Sequence, residues 1–499
     1  MIRNTLVLLL SVCLCASPGR GGIVATGDVS PADPAAWTIS TGGYVGWTAA
    51  GMLTIDDGSD VVSYWGFLGD KPGAMGTVSV NGQGSTWTVT RSVFLGREGD
   101  GKLEIINGGT VTSGDAYMGF DPGSTGSATV NGQGSSWTEM GYVWVGREGD
   151  GKLEIINGGA VTSLHGYLGA APGSTGTAIV SGQGSTWTRV EFIHIGMEGD
   201  GKLEIIDGGS VTSEWAWAVL GLGQNSTASA IVSGQGSSWT GMGFFLVGVG
   251  GAASVEITNG ASVRSEEGNV GMDSGSTGTV TVSGAGSTWS THFELCVGLS
   301  GEGSLAIADG GLVSVRGGLS IDSNRDGDSY LTMATGGMLA LKGNAAGSLG
   351  EFLGLIDGTD DIRYWDDSVR AWADITGATA GEDYTLAYLT EGDLAGYTVL
   401  TVTAGLPTQL GDTNDDDIID DLDLANLVAQ FGSTPGDESA DFNGDGFVGL
   451  EDFAILRAYL GSGVAAAAPE AESPAATPEP ASAVLLLLGL GAVIRHRKK

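Results

Sequence analysis

Apolar and polar residues alternate with a period of two over most of this chain. In Leu153-Glu-Ile155 and in Ala128-Thr-Val130, two apolar residues flank a polar one. Successive side chains of a β-strand point to opposite faces, so this alternation is typical of a strand with one buried face. The alternating runs are short, and glycine-containing segments separate them. The pattern therefore predicts many short strands around a common core.

Turn residues recur at nearly constant spacing. A polar residue followed by Gly returns every 24 or 26 residues, and such pairs form turns because Gly accepts a positive φ. The polar residues of these pairs are Asp57, Asn81, Asn107, Asn131, Asn157, Ser181, Asp207, Ser233, Asn259, Ser283, Asp309 and Thr335. The spacing predicts an all-β fold, a right-handed parallel β-helix (solenoid) of about twelve coils. Residues 23–344 would form the repeats, and residues 345–407 the C-terminal cap of the solenoid.

Two types of coil alternate along these repeats. The second type carries a tryptophan, and Trp37, Trp87, Trp137, Trp187, Trp239 and Trp289 follow each other at intervals of 50 or 52 residues. The register predicts one inward column, in which smaller valines separate the bulky tryptophans: Val111, Trp137, Val161, Trp187 and Val211. The alternative is a row of exposed tryptophans that serve as platforms for sugar rings.

The step Gly-x-Gly-Ser-x-Trp-x, present at Gly82–Thr88, resembles the hallmark of a repeat family shared by autotransporters and PEP-CTERM surface proteins. The resemblance covers residues 37–340. It implies a location at the cell surface. It implies no activity, because that family has no assigned catalytic role.

Composition narrows the possible partners and the cysteine chemistry. The net charge of -37 excludes nucleic acid as an expected partner, because a phosphate backbone is bound by Lys and Arg. Of three cysteines, Cys13 and Cys15 fall in an N-terminal apolar run. The remaining one, Cys296, is predicted to be a buried thiol rather than a reactive nucleophile.

The N-terminus has the order of a secretory signal peptide. Arg3 precedes an apolar stretch from Leu6 to Leu14, and small residues follow. Residues 1–22 are therefore predicted to direct export, and the mature protein is expected at the surface of the cell envelope or outside the cell.

Two acidic loops near the C-terminus have the spacing of calcium-binding loops. Both loops have oxygen donors at positions 1, 3, 5 and 12 and a backbone carbonyl at position 7, and the first loop has another donor at position 9; Ca²⁺ binds such oxygen ligands. The first loop offers Asp412, Asn414, Asp416, Ile418, Asp420 and Asp423, and the second Asp441, Asn443, Asp445, Phe447 and Asp452. Each loop runs into an amphipathic helical segment. The sequence therefore predicts a small α-helical domain over residues 408–463, with paired EF-hand-like loops and Ca²⁺ as its cofactor.

This domain resembles a type I dockerin. The resemblance implies that side chains at positions 1, 3, 5 and 12 of each loop bind calcium. It leaves a cohesin-like partner uncertain, because Asp421-Leu422 and Leu450-Glu451 stand where Ser or Thr is usual. Asp417 also replaces the usual Gly of the first loop, so the first site is expected to be the weaker one.

The C-terminal tail has three parts in a fixed order. A linker over residues 464–482 leads to Pro478-Glu-Pro480, an apolar run to Ile494, and the basic cluster Arg495–Lys499. Residues 478–499 resemble the PEP-CTERM sorting signal, which implies transient insertion as a transmembrane helix and processing by an exosortase-type enzyme. The apolar run is shorter than the ~20 residues of a stable spanning helix.

Three functions remain open at this point. The protein is expected to be a structural or adhesive surface protein and not an enzyme, since its acidic loops, such as Arg97–Asp100 and Arg147–Asp150, recur instead of forming one cluster. The histidines His165, His194 and His292 also fall in different repeats. A solenoid that binds extracellular polysaccharide is the first alternative, and a β-helix polysaccharide lyase or hydrolase is the second.

Overall fold

The computed structural model describes residues 22–139, 141–323, 329–358, 361–366, 371–403 and 421–431, together with residues 440, 448, 453 and 456. The chain divides into two compact units, Met1–Leu406 and Pro407–Lys499. The first unit is a β-solenoid of about 12 turns, which confirms the predicted solenoid fold. Its right-handedness stays a prediction.

One side of the solenoid is a sheet of fifteen strands, called here the first sheet. Its strands pair in parallel with the strands one coil away, and only its two end strands are antiparallel to their neighbours. The strands are Ile23–Gly27, Ala50–Ile55, Met75–Asn81, Asp100–Ile106, Thr125–Asn131, Asp150–Ile156, Thr175–Ser181, Asp200–Ile206, Thr227–Ser233, Ala252–Thr258, Thr277–Ser283, Glu302–Ala308, Tyr330–Met333, Ile362–Asp366 and Ala371–Asp374.

The other side is a second sheet, to which each full coil contributes two strand segments. The first segments are Asp60–Ser63, Thr86–Val89, Thr110–Ser113, Ser136–Glu139, Ala160–Thr162, Thr186–Thr188, Thr288–Thr291, Leu312–Val315 and Met338–Lys342. The second segments are Gly42–Val45, Trp65–Leu68, Ser92–Leu95, Asp115–Met118, Tyr142–Val145, His165–Leu168, Phe192–Ile195, Leu295–Val297, Leu319–Ile321 and Ile356–Gly358. In three coils the two segments run together, as Ser210–Leu220, Ser238–Val247 and Ser262–Val270.

The turn between the two sheets is held by a buried serine of the next coil. Asn107 and Gly108 both have positive φ, at 54° and 87°, which suits Asn and Gly. The Gly108 N–H donates to Ser135 Oγ at 3.0 Å, and that hydroxyl donates to the Asn131 carbonyl at 2.7 Å. Ser85 and Ser185 make the same pair of bonds. The recurring Gly-x-Gly-Ser step therefore joins successive coils.

The tryptophans lie inside the solenoid, as the register predicted. Trp137 pairs with Val111 on one side and with Val161 on the other, and Trp187 continues the same column. All of them are fully or almost fully buried. The alternative of exposed tryptophan platforms is therefore wrong for this column. From here on, the tryptophan column is Val61, Trp87, Val111, Trp137, Val161, Trp187, Val211, Trp239, Val263, Trp289 and Val313.

Each buried indole needs an acceptor and space, and the preceding coil provides both. Trp187 Nε1 donates to Ser163 Oγ at 2.8 Å, which satisfies a polar group that would be costly to bury alone. A Cβ on Gly166 would lie 2.8 Å from the Trp187 ring, so the absence of a side chain at Gly166 leaves room for this ring. Trp137 has the matching acceptor in Ser113, at 3.1 Å. Two coils therefore form one packing unit.

The two-coil unit that ends at Trp239 departs from this arrangement. It has two extra residues, because Trp239 follows Trp187 by 52 residues instead of 50. Within the described residues, neither Trp239 Nε1 nor Ser213 Oγ has a hydrogen-bond partner, and the strand register shifts between Thr212 and Ala216. The Phe245 ring instead packs edge-on against Trp239 at 5.2 Å and against Trp289 at 5.7 Å. Aromatic contact replaces the indole hydrogen bond at this point.

Both ends of the solenoid are closed by segments outside the regular coils. At the N-terminal end, Trp37 shares the spacing of the other tryptophans but follows the 3-10 turn Pro34–Ala36, and it packs on Gly43. At the other end, Tyr397–Val402 pairs antiparallel with Met338–Lys342 and with Tyr384–Tyr388. The short helices Leu349–Leu353 and Ile375–Gly377 lie in this part of the chain.

In the second unit the structure describes the helix Asp421–Gln430. Its Leu427 belongs to a small buried cluster with Ala440, Val448 and Leu456. These residues come from both predicted loop-helix segments. The paired arrangement of the two calcium loops stays a prediction.

Deleting a whole two-coil unit should be tolerated better than deleting one coil. Removal of residues 100–149 joins Gly99 to Asp150, which repeats the natural Gly99-Asp100 sequence, and it places Val161 next to Trp87. Removal of residues 100–124 places Trp137 directly against Trp87 and deletes its acceptor Ser113, which should cost at least about 1–3 kcal/mol. Thermal unfolding followed by circular dichroism measures both variants. Equal midpoints would show that the Trp-Val alternation is unimportant for stability.

Candidate functional site

The outward face of the second sheet carries two parallel columns of aromatic side chains. Both arise from the period of two, because residues on either side of an inward residue point outward. The first aromatic column comprises Tyr44, Phe67, Phe94, Tyr117, Trp144, Tyr167 and His194, each two residues before a glycine with positive φ. The second aromatic column comprises Tyr142, His165, Phe192, Trp217 and Phe244.

Rings of the first aromatic column stack face to face. Neighbouring ring centroids lie between 4.1 and 6.5 Å apart, and the planes are inclined by no more than 15°. Parallel rings cover one another's faces, so the column presents mainly ring edges to solvent. Contacts between aromatic rings add about 0.5–1.5 kcal/mol each beyond the area they bury. This column therefore stabilises the junctions between coils.

The second aromatic column is more open. The ring planes of Tyr142 and His165 are inclined by 20°, those of Phe192 and Trp217 by 40°, and those of Trp217 and Phe244 by 52°. Exposed fractions are 42% for Tyr142, 37% for Phe192 and 44% for Trp217. Because the planes are tilted, neighbouring rings cover one another's faces only in part. This column therefore offers aromatic surface that the protein itself leaves uncovered.

Charged groups flank the first aromatic column. The Arg147 guanidinium lies 4.1 Å from the centroid of Phe120, whose ring meets Phe94 and Tyr117 edge-on. Arg97 forms a 2.9 Å ion pair with the buried Asp70. Burial raises the pKa of Asp70, and the charge of Arg97 opposes that effect. Cation–π contacts and this ion pair fix the edge of the aromatic face.

The first aromatic column ends abruptly after His194, although the second continues for two more coils. In the next coils the positions of the first column are taken by Val219 and Leu246, which belong to a small apolar cluster, and then by Asn269 and Cys296. Cys296 is 3% exposed, and its Sγ lies 3.3 Å from Ser323 Oγ. The thiol is buried, as predicted.

The histidines are members of these columns or contact arginine. His165 stacks on Tyr142 at 4.8 Å and His194 on Tyr167 at 5.2 Å, whereas His292 contacts Arg316. Burial lowers the pKa of His194, and the nearby His165 lowers it further. The repeated acidic loops are also engaged, since Glu98 accepts a 2.7 Å hydrogen bond from Lys71.

Of the predicted calcium ligands, the structure describes Asp423, a fully buried residue of the helix Asp421–Gln430. The other predicted ligands lie outside the described residues: Asp412, Asn414, Asp416, Ile418, Asp420, Asp441, Asn443, Asp445, Phe447 and Asp452. Among the residues that are described, no group of three or more His, Cys, Asp or Glu could hold a metal ion.

The predicted export and sorting segments, residues 1–22 and 478–499, lie outside the described part, except for Gly22. No described helix is long and apolar enough to cross a membrane. Comparisons with protein-family models, with curated proteins and with solved structures find no match to this chain.

The lowered pKa of His194 predicts a loss of stability in mild acid. The unfolded chain binds a proton near pH 6.5, while the folded chain resists protonation until lower pH. The free energy of unfolding should therefore fall as the pH drops below about 6.5. His194→Phe keeps a ring in the stack and should make the midpoint less sensitive between pH 7.5 and 5.5.

Thermal unfolding at the two pH values measures this effect, with His292→Phe as the control outside the columns. An unchanged pH sensitivity in His194→Phe would contradict the assignment.

Proposed function

We propose that this protein is an exported structural and adhesive repeat protein of the cell surface or extracellular matrix. The observation that carries the proposal is the second aromatic column, an uncovered surface built by the same outward position in five successive coils. A surface repeated in this way suits contact with an extended partner. A catalytic cleft, by contrast, needs a cluster of different groups around one point.

The surroundings of the titratable groups support a non-catalytic role. His165 and His194 stack on tyrosines, and Glu98 pairs with Lys71. A general acid or base needs a free path to a substrate atom and a pKa near the working pH. Stacking and pairing give these side chains a structural role in the aromatic face and its edge.

Calcium binding is part of the proposal for residues 408–463. Asp423 is fully buried. Its burial supports a role as a calcium ligand, because a bound divalent cation would compensate for the charge of a buried carboxylate. Asp412, Asn414, Asp416, Asp420 and the Ile418 carbonyl would complete the first site, and Asp441, Asn443, Asp445, Asp452 and the Phe447 carbonyl would hold the second. Bound Ca²⁺ would neutralise the carboxylates and join each loop to its helix.

Calcium should increase the helix content of residues 408–463. Asp441→Ala should weaken this response more than Asp412→Ala, because the second loop keeps Gly446 whereas the first has Asp417. Circular dichroism during a calcium titration, reversed with a chelator, measures the effect. Absence of any calcium-dependent change in the unaltered fragment would refute the module.

Surface delivery is proposed to depend on the two ends of the chain. The N-terminal signal would start export, and residues 478–499 would retain the protein in the envelope until an exosortase-type enzyme processes it. A short apolar run followed by a basic cluster supports this order, because Arg and Lys stay on the cytoplasmic side.

Removing residues 478–499 should release the protein without processing and leave the folding of the solenoid unchanged. Cell fractionation of the full-length and truncated chains, with mass measurement of the mature C-terminus, tests this prediction. A full-length chain that kept Lys499 and distributed like the truncated chain would contradict the sorting role.

A further inference from the structure

We infer that the second aromatic column binds a neutral, linear polysaccharide whose chain runs in the direction in which the coils stack. The inference rests on the proposed surface function and specifies its ligand. It concerns Tyr142, His165, Phe192, Trp217 and Phe244, which the strand register places side by side in consecutive coils.

Ring orientation distinguishes this column from its neighbour. In the first aromatic column Phe94 and Tyr117 are inclined by 10°, so each ring face is covered by the next ring. Trp217 is inclined by 40° to Phe192 and by 52° to Phe244. Phe244 lies 4.7 Å from Trp217, centroid to centroid, but the Trp217 side chain is still 44% exposed. Part of its negative ring face is therefore free to meet the weakly positive C–H groups of a pyranose.

The spacing of the rings suits a polymer of sugars. Adjacent coils of a parallel sheet are ~4.8 Å apart, and one pyranose extends a linear chain by a similar length. A chain laid across the strands would therefore meet a new aromatic side chain at about every sugar. The exposed Tyr142 also brings a hydroxyl, which can bond sugar hydroxyls at this end of the column.

Charge selects a neutral polymer among the extended partners. A carboxylate stands next to the column at each end. Asp115 occupies the equivalent position in the coil before Tyr142, and Glu267 occupies it in the coil after Phe244. Glu191 precedes Phe192 directly, and the whole chain carries a net charge of -37. An acidic polysaccharide would be repelled, and so would a second copy of this chain.

Affinity electrophoresis of the full mature chain tests the inference. Hydroxyethylcellulose serves as the neutral probe and polygalacturonate as the acidic one. The double variant Trp217→Ala with Phe192→Ala should have an at least tenfold lower apparent affinity for the neutral polymer, as measured from its retardation. Trp372→Ala is the matched control, because Trp372 is also 44% exposed but lies in the end strand Ala371–Asp374. The control should migrate like the unaltered protein.

Several results would overturn the inference. Hydroxyethylcellulose could fail to retard the unaltered chain, or polygalacturonate alone could retard it. Trp372→Ala could lose as much retardation as the double variant. The unaltered chain could also self-associate in a way that the double variant abolishes. If the double variant unfolds, Trp217→Ala alone provides the test, with Trp217→Tyr expected to restore binding. Cell fractionation shows whether the unaltered chain and these variants reach the surface. An unaltered chain that reaches the surface but does not bind the polymer contradicts only the inference about sugar, whereas an unaltered chain that does not reach the surface contradicts the proposed function.

Discussion

The structure depends on one contact between neighbouring coils, in which a buried tryptophan donates its indole N–H to a serine of the coil before it. Trp87, Trp137, Trp187 and Trp289 make this contact. The Trp187 ring needs Ser163 as acceptor and Gly166 as open space, and both are in the preceding coil. A coil with tryptophan therefore cannot be packed on another of its own kind. Alternation of two coil types follows from this requirement, and so does the length of the repeating unit.

Much of the fold could be predicted because glycine turns and inward residues recur at fixed distances. The spacing of turns gave the number of coils, and the register of Val111 with Trp137 identified a buried column. The interval of 52 residues between Trp187 and Trp239 also indicated that the packing around Trp239 differs from that of the other tryptophans. The form of that difference, replacement of a hydrogen bond by the Phe245 ring, depends on three-dimensional packing that spacing alone does not specify.

The candidate site was missed for a physical reason. Its columns change between Tyr, Phe, Trp and His, so no single letter repeats, and apolar residues such as Phe192 on an outward face are easily taken for core. A usable signal was present for the first column, where an aromatic residue stands two positions before successive turn glycines, as at Phe94 and Tyr117. Ring tilt, which separates a stabilising column from an open one, is not encoded in any local pattern.

The antiparallel strands at the ends of the solenoid have a consequence for how large the particle can become. A regular parallel coil exposes an edge that could accept the first coil of another molecule, and repetition of that event would produce fibres. Ile23–Gly27 and Ala371–Asp374 cover the two ends of the first sheet with strands of opposite direction. Two copies stacked end to end would therefore bring these end strands together instead of two regular coils, which disfavours growth of the solenoid into fibres.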